Sequence, residues 1–145
     1  MKVIANNPIA YHNYSISDSI EAGIVLCGTE IKSIRNGKVN LKDSYVNIKK
    51  GEAFIYQMHI SPYEQGNIFN QEPTRTRKLL LNRKEILKLS NQIKQKGVSL
   101  IPTKLYYKGN FVKVEIGIGK PKKLYDKRED LKKRDAEMKI KRAIK

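Results

Sequence analysis

Histidine and cysteine are the side chains most often recruited for proton transfer, nucleophilic attack and metal binding. Here they are His12, His59 and Cys27, two histidines and one cysteine in 145 residues. No spacing among them makes a zinc site. His59 alternates with apolar neighbours and reads as structural. Cys27 reads as a small strand residue, since nothing near it in sequence marks an activated thiolate. No phosphate-binding glycine loop is present, and Gly117-Ile118-Gly119 before Lys120-Pro121 reads as the exit of a strand. A hydrolase or transferase needs a nucleophile with its base, paired carboxylates or a metal cluster. The sequence therefore argues against an enzyme and implies neither cofactor nor metal.

The chemistry the residues do offer is recognition of a polyanion. Lys and Arg total 30 against 14 Asp and Glu, a net charge of +16. Such a balance serves nucleic acid most often and an anionic membrane less often. Arg75-Thr76-Arg77-Lys78 sets three cations just before Leu79-Leu80-Leu81. Lys32, Arg35 and Lys38 gather on a short helical stretch and its exit, and Lys113 lies on the polar face of a strand. Tyr11, Tyr14, Tyr45, Tyr106, Tyr107 and Phe111 are interleaved with them. Cations neutralise phosphates, and aromatic faces stack unpaired bases. No stretch reaches the roughly 18 apolar residues of a membrane span. The first residues lack the apolar run and cleavage site of a secretory signal. A single cysteine excludes an internal disulfide and is consistent with a reducing cytoplasm.

These side chains must be held by a mainly β framework. Ala22 to Leu26 reads as a short buried strand. Ile31, Ile34 and Arg35 before Asn36-Gly37 read as one or two helical turns. Ser44 to Lys49 and Ala53 to Ile60 flank the hairpin signal Lys50-Gly51-Glu52, and Leu100 to Tyr107 and Phe111 to Ile118 flank Lys108-Gly109-Asn110. In the last strand Val112, Val114, Ile116 and Ile118 alternate with polar residues or glycine, which gives one wet face. Pro102 points to an edge or a bulge in its partner. Tyr63 to Thr76 is a long polar loop. Asn82-Arg83-Lys84-Glu85 is a capping box, Ile86, Leu89 and Ile93 share one helical face, and Gly97 ends the helix. A small barrel with helices packed on it fits best, and an open α+β sheet is the alternative.

The charge divides the chain into residues 1–119, a core, and 120–145, a basic tail. Residues 120–145 carry 12 Lys or Arg against 5 Asp or Glu. Asp126-Lys127-Arg128-Glu129 could open a helix. Leu131, Met138, Ile140 and Ile144 make no full apolar stripe, so the tail is expected to be disordered when free and helical against a negative surface.

Several long motifs, in order, resemble the small protein B (SmpB) family of bacterial tmRNA-binding proteins. They are Glu21-Ala22-Gly23-Ile24-Val25-Leu26 with Gly28 to Lys38; Asp43-Ser44-Tyr45-Val46; Gly51-Glu52-Ala53; Arg75 to Asn82; and Lys122 to Glu129. The similarity spans about Asn6 to Arg142. It implies an oligonucleotide-binding-like barrel with flanking helices and an adaptor's task in trans-translation. The protein would hold the tRNA-like domain of tmRNA in place of an anticodon arm and act as a monomer when free. With elongation factor Tu, and with alanyl-tRNA synthetase linked through the same RNA, it would serve stalled ribosomes in the cytoplasm.

By position, the resemblance gives Glu21, Leu80 and Asn82 to the tRNA-like domain. Arg75, Arg77, Lys78 and Lys113 would contact the RNA backbone. His12 would face the decoding region. Lys122, Lys123, Tyr125, Asp126, Lys127 and Arg128 form a tail motif that would enter the empty mRNA channel. Asn82 also reads as a helix cap, and Leu80 as core. Where the family usually carries glycine before the two lysines, this chain has Pro121, which restricts the tail's exit. The competing readings are a ribosomal or nucleoid-type protein that binds by charge alone, and a nucleic-acid enzyme.

Overall fold

The alternation from Val112 to Ile118 builds the strand on which the others are assembled. A computed structural model of the protein describes residues 2–122. Strands β1 (Lys2–Asn6), β2 (Tyr14–Ile24), β3 (Val39–Asn40), β4 (Tyr45–Lys49), β5 (Glu52–Tyr56), β6 (His59–Ile60), β7 (Arg77–Leu80), β8 (Ser99–Lys108) and β9 (Phe111–Pro121) are joined by three α-helices and by a 3-10 helix, Glu64–Phe69, within the stretch expected to be a loop. The α-helices are α1 (Pro8–Asn13), α2 (Gly28–Arg35) and α3 (Arg83–Lys96). Strand β9 pairs antiparallel with β2 on one side and with β8 on the other. The order then runs β8, β4, β5, β7, β2 and back to β9, so six strands close into a barrel and leave β1 as an added edge on β8. The barrel, rather than the open sheet, is what the chain forms. Ala22, Ile55, Leu79, Leu105, Val114 and Ile116 fill its interior, each no more than 1% exposed.

Local chemistry explains the corners. The turn between β4 and β5 is Lys50-Gly51 with φ of 53° and 75°. Both are positive, as a two-residue type I′ turn requires. Asn82 Oδ1 accepts from the Glu85 N–H at 2.9 Å while Glu85 Oε1 accepts from the Asn82 N–H, and Gly97 closes α3 in the left-handed conformation.

Gly119 has a different role. A Cβ there would lie 2.3 Å from the Ser15 carbonyl oxygen and 2.8 Å from Ile16 Cα. Only a glycine lets β9 press this close to β2. Gly119→Ala is expected to lower stability by about 1–3 kcal/mol, read as a drop in the urea midpoint. An unchanged midpoint would show that the two strands separate without penalty.

Some elements extend past their sequence signals. Strand β2 starts at Tyr14 rather than Ala22, and β1 and α1 precede it. Strand β9 continues through Pro121, which faces Tyr14, and the Lys122 N–H donates to the Asn13 carbonyl at 2.8 Å. Backbone pairing therefore sets the direction of the chain at this exit. Pro102 lies in an interior strand, beside the irregularity between Pro102 and Lys104, and not at an edge. Cys27 is the N-cap of α2 rather than a strand residue. His59 is exposed on β6.

Candidate nucleic-acid interface

Glycine at position 23 opens the surface that matters most. In the barrel's strand register Gly23 stands opposite Leu80 on β7 and opposite Lys113 on β9. Leu80, Gly23 and Lys113 thus form one row across three neighbouring strands, with the outer two roughly 10 Å apart. The missing side chain at the centre leaves a groove of about 610 Å³. Ile31 and Arg35 of α2 overhang it, and Phe111 stands at its rim. Phe111 is 70% exposed and Leu80 53%. Lys113 Nζ lies 5.8 Å from the Phe111 ring centroid, a cation–aromatic contact. A second groove, of about 730 Å³, lies on the other side of Leu80 and is lined by Lys78, Asn82 and Arg83. Cations, an open aromatic ring and an apolar ridge meet here in the combination that binds an RNA backbone and its unpaired bases.

One row along the same strands lies Glu21, half-exposed, facing Glu115 on β9. Its carboxylate accepts from the Tyr106 hydroxyl and, at 3.3 Å, from the Lys108 ammonium. The Tyr106 hydroxyl has the largest effect. With Lys108, and against burial, it holds Glu21 below the ordinary carboxylate range. Tyr106 itself is pushed well above the ordinary phenol value, by burial first and by the Glu21 carboxylate second. Tyr106 is buried and offers no open ring for stacking, whereas Tyr107 is half-buried and lines the groove beside Phe111.

The basic run before β7 divides by strand parity. Lys78 and Leu80 face outward, and Arg77 and Leu79 face inward. Arg77 is wholly buried. Its Nε donates to Glu30 Oε2 at 2.6 Å, and its terminal nitrogens donate to the carbonyls of Met58, Arg75 and Pro73. Its donors are committed to the protein, so Arg77 leaves the phosphate-contacting set expected from sequence. Arg75 also pairs with Glu30, at 2.6 Å, and is about a quarter exposed. Burial alone would raise the Glu30 pKa. Hydrogen bonds from Arg75, the Cys27 N–H and Arg77 outweigh it and hold the carboxyl below its usual range. Sequence reasoning passed over Glu30 as an anchor. Its place in the first turn of α2 marks it in sequence only as a helix-start residue, and its pairing with the buried Arg77 spans 47 residues.

The other expected residues lie outside the Leu80–Gly23–Lys113 row. Lys32 Nζ sits 5.3 Å from the Tyr63 ring centroid, and Lys38 borders the groove beside Tyr63 on that flank. Lys78 pairs with Glu52 at 3.3 Å, both exposed, an arrangement that contributes little to stability. His12 is half-buried near the end of α1, next to the Asn13–Lys122 backbone contact. Lys123, Tyr125, Asp126, Lys127 and Arg128 lie outside the described residues. Among the described residues no group of three His, Cys, Asp or Glu is placed to hold a metal ion. No helix among them is long and apolar enough to cross a membrane.

Comparison with known proteins places the chain in a family. The family model described as SmpB protein matches residues 4–145. The chain is 63% identical over 144 residues to an SsrA-binding protein of Acetivibrio thermocellus, covering 99% of this chain and 94% of the relative. It is 60% identical to the SsrA-binding protein of Geobacillus kaustophilus, covering 99% and 92%. A solved structure described as "tmRNA-SmpB: a journey to the center of the bacterial ribosome" holds a chain that aligns with a TM-score of 0.69 and 40% identity. That alignment covers 86% of this chain and 87% of the other. By sequence across nearly its whole length, and by fold, the chain belongs to the SmpB family.

Proposed function

We propose that the protein is an RNA-binding adaptor rather than an enzyme. It binds the tRNA-like domain of tmRNA (the SsrA RNA) and brings it to stalled ribosomes in the cytoplasm for trans-translation. The observation that carries this reading is the row Leu80–Gly23–Lys113, flanked by Arg35 and Phe111, in a chain of this family. Glu21, Lys78 and Asn82 complete the RNA surface. Asn82 Oδ1 serves the helix cap, which leaves its amide nitrogen to donate to RNA. Lys32 and Lys38 add positive charge on the flank and contribute chiefly to long-range attraction.

The two ends of β2 suit two partners. Gly23 lies in the groove, and Tyr14 lies beside the chain exit at Pro121. Nine residue-to-residue steps of strand separate them, roughly 30 Å at the usual rise. His12 and Lys122 lie at the exit end and would meet the ribosome while the groove holds tmRNA. Residues 1–119 would form the RNA-binding core and 120–145 the tail that tests whether the mRNA channel is empty. Removing residues 123–145, which leaves the Lys122–Asn13 contact in place, is expected to keep the affinity for tmRNA within about threefold, a change of only ~0.7 kcal/mol. The same truncation is expected to abolish tagging of nascent chains in a reconstituted translation assay. Tagging at the normal level would remove the tail from the mechanism.

A further inference from the structure

We infer that Tyr106 is a positioning residue for RNA recognition, fixing the Glu21 carboxylate so that it reads a hydrogen-bond donor on the RNA. The inference rests on the proposed role of Glu21 in binding tmRNA.

A carboxylate on an RNA-binding face is at a disadvantage, because it repels every phosphate that approaches. It helps only where the RNA presents a donor, such as a base amino or imino group or a 2′-hydroxyl. To discriminate in this way, the group must stay ionised and must point in one direction. Glu21 is held on both counts. One oxygen accepts from the Tyr106 hydroxyl and the other from Lys108 Nζ. Both contacts come from β8, which lies across β9 from Glu21 in the barrel wall.

The two holders are unequal. Lys108 is about two-thirds exposed on a long, flexible stem. Tyr106 is buried, its ring lies under Lys104 Nζ at 5.7 Å, and its backbone is locked between β1 and β9. The hydroxyl therefore projects from a fixed base. The groups facing Glu21 are otherwise Lys113, which favours its ionised form, and Glu115, opposite it on β9. Glu115 is tied to Thr103 and Lys104. Each oxygen of Glu21 keeps acceptor capacity after its protein contact, and that remainder is directed outward.

Tyr106→Phe tests this, because it removes one oxygen and keeps the buried ring. Binding of the tRNA-like fragment of tmRNA would be measured for wild type, Tyr106→Phe, Glu21→Ala and the double variant, with thermal melting of each protein alongside. Tyr106→Phe is expected to weaken binding about tenfold, the effect of losing one charge-assisted hydrogen bond, while binding of an unrelated RNA stays unchanged. In the Glu21→Ala background the same change is expected to have less than about a twofold effect, as for two residues acting through one contact. Without the phenol, Glu21 takes up its proton at a higher pH. Binding by Tyr106→Phe should therefore weaken at a higher pH than wild type as the solution is acidified below 4.5, the ordinary carboxylate value. A Tyr106→Phe protein that binds and titrates like wild type, beside a weakened Glu21→Ala, would overturn the inference alone. Full affinity in Glu21→Ala would overturn the role of Glu21 on which it rests. Equal losses from Tyr106→Phe in both backgrounds would assign Tyr106 a structural role only and overturn the inference as well.

Discussion

Glu30→Ala is expected to destabilise the protein by about 3–5 kcal/mol, the usual effect of stranding a buried charge. Arg77 is wholly enclosed, and its guanidinium cannot shed its proton. With Glu30 removed, the three carbonyls around it remain but the only counter-charge within contact among the described residues is gone. The α2 capping box, in which Glu30 accepts from the Cys27 N–H, is lost in the same step. Chemical denaturation would read the loss directly. Arg75→Ala should have a smaller effect, about 1 kcal/mol, since Arg75 is partly screened by water and Glu30 keeps Arg77. The pH dependence follows from the same pairing. Glu30 has a folded pKa below its ordinary value of 4.5. Its contribution is therefore present above that value and is lost as pH falls through the folded pKa. Wild-type stability should decline below about pH 4.5 in part through this group, and Glu30→Ala should lack that part of the decline. A loss under about 1 kcal/mol would mean that water replaces the carboxylate, contrary to the burial of the site.

Leu80→Asp is expected to lower the affinity for the tRNA-like fragment of tmRNA roughly a hundredfold, about 2.7 kcal/mol. Leu80 is the ridge between the two grooves and more than half exposed. A carboxylate on that ridge would face phosphates on either side, and like charges across an interface are strongly unfavourable. The fold should tolerate the change, because β7 pairs through its backbone with β2 and β5 and Leu79, not Leu80, enters the core. Binding would be measured together with the melting temperature. Retained affinity in a folded Leu80→Asp protein would move the RNA to another face.

Elements whose signals are local could be read from sequence. The capping box at Asn82 and Glu85, the stop at Gly97 and both hairpin turns are set by residues within four positions of one another. Strand β2 was harder. Its first half alternates Ser15, Ser17 and Ser19 with Ile16, Asp18 and Ile20, and the register slips between Ile16 and Asp18. The slip breaks the period-two pattern that marks a strand. Strand β7 shows why a basic run can mislead. Each of its faces carries one cation and one leucine, so hydrophobicity cannot tell which face is inside. What settles parity is Glu30, which lies 47 residues from Arg77 in the chain. No local pattern reports a contact of that range. The groove has the same origin, since Leu80, Gly23 and Lys113 become neighbours only through barrel register. Similarity to a family could assign them a common task but not the gap at Gly23 that makes the surface concave.

The most direct test of the central claim is a binding titration at about 0.15 M salt, near physiological ionic strength. It compares the tRNA-like fragment of tmRNA with an unrelated structured RNA of equal length. A dedicated interface predicts a preference of roughly a thousandfold for the fragment, within the normal span of specific over non-specific binding. Equal affinity, with the steep salt dependence of simple charge neutralisation, would contradict it and leave the net charge of +16 as the whole cause of binding.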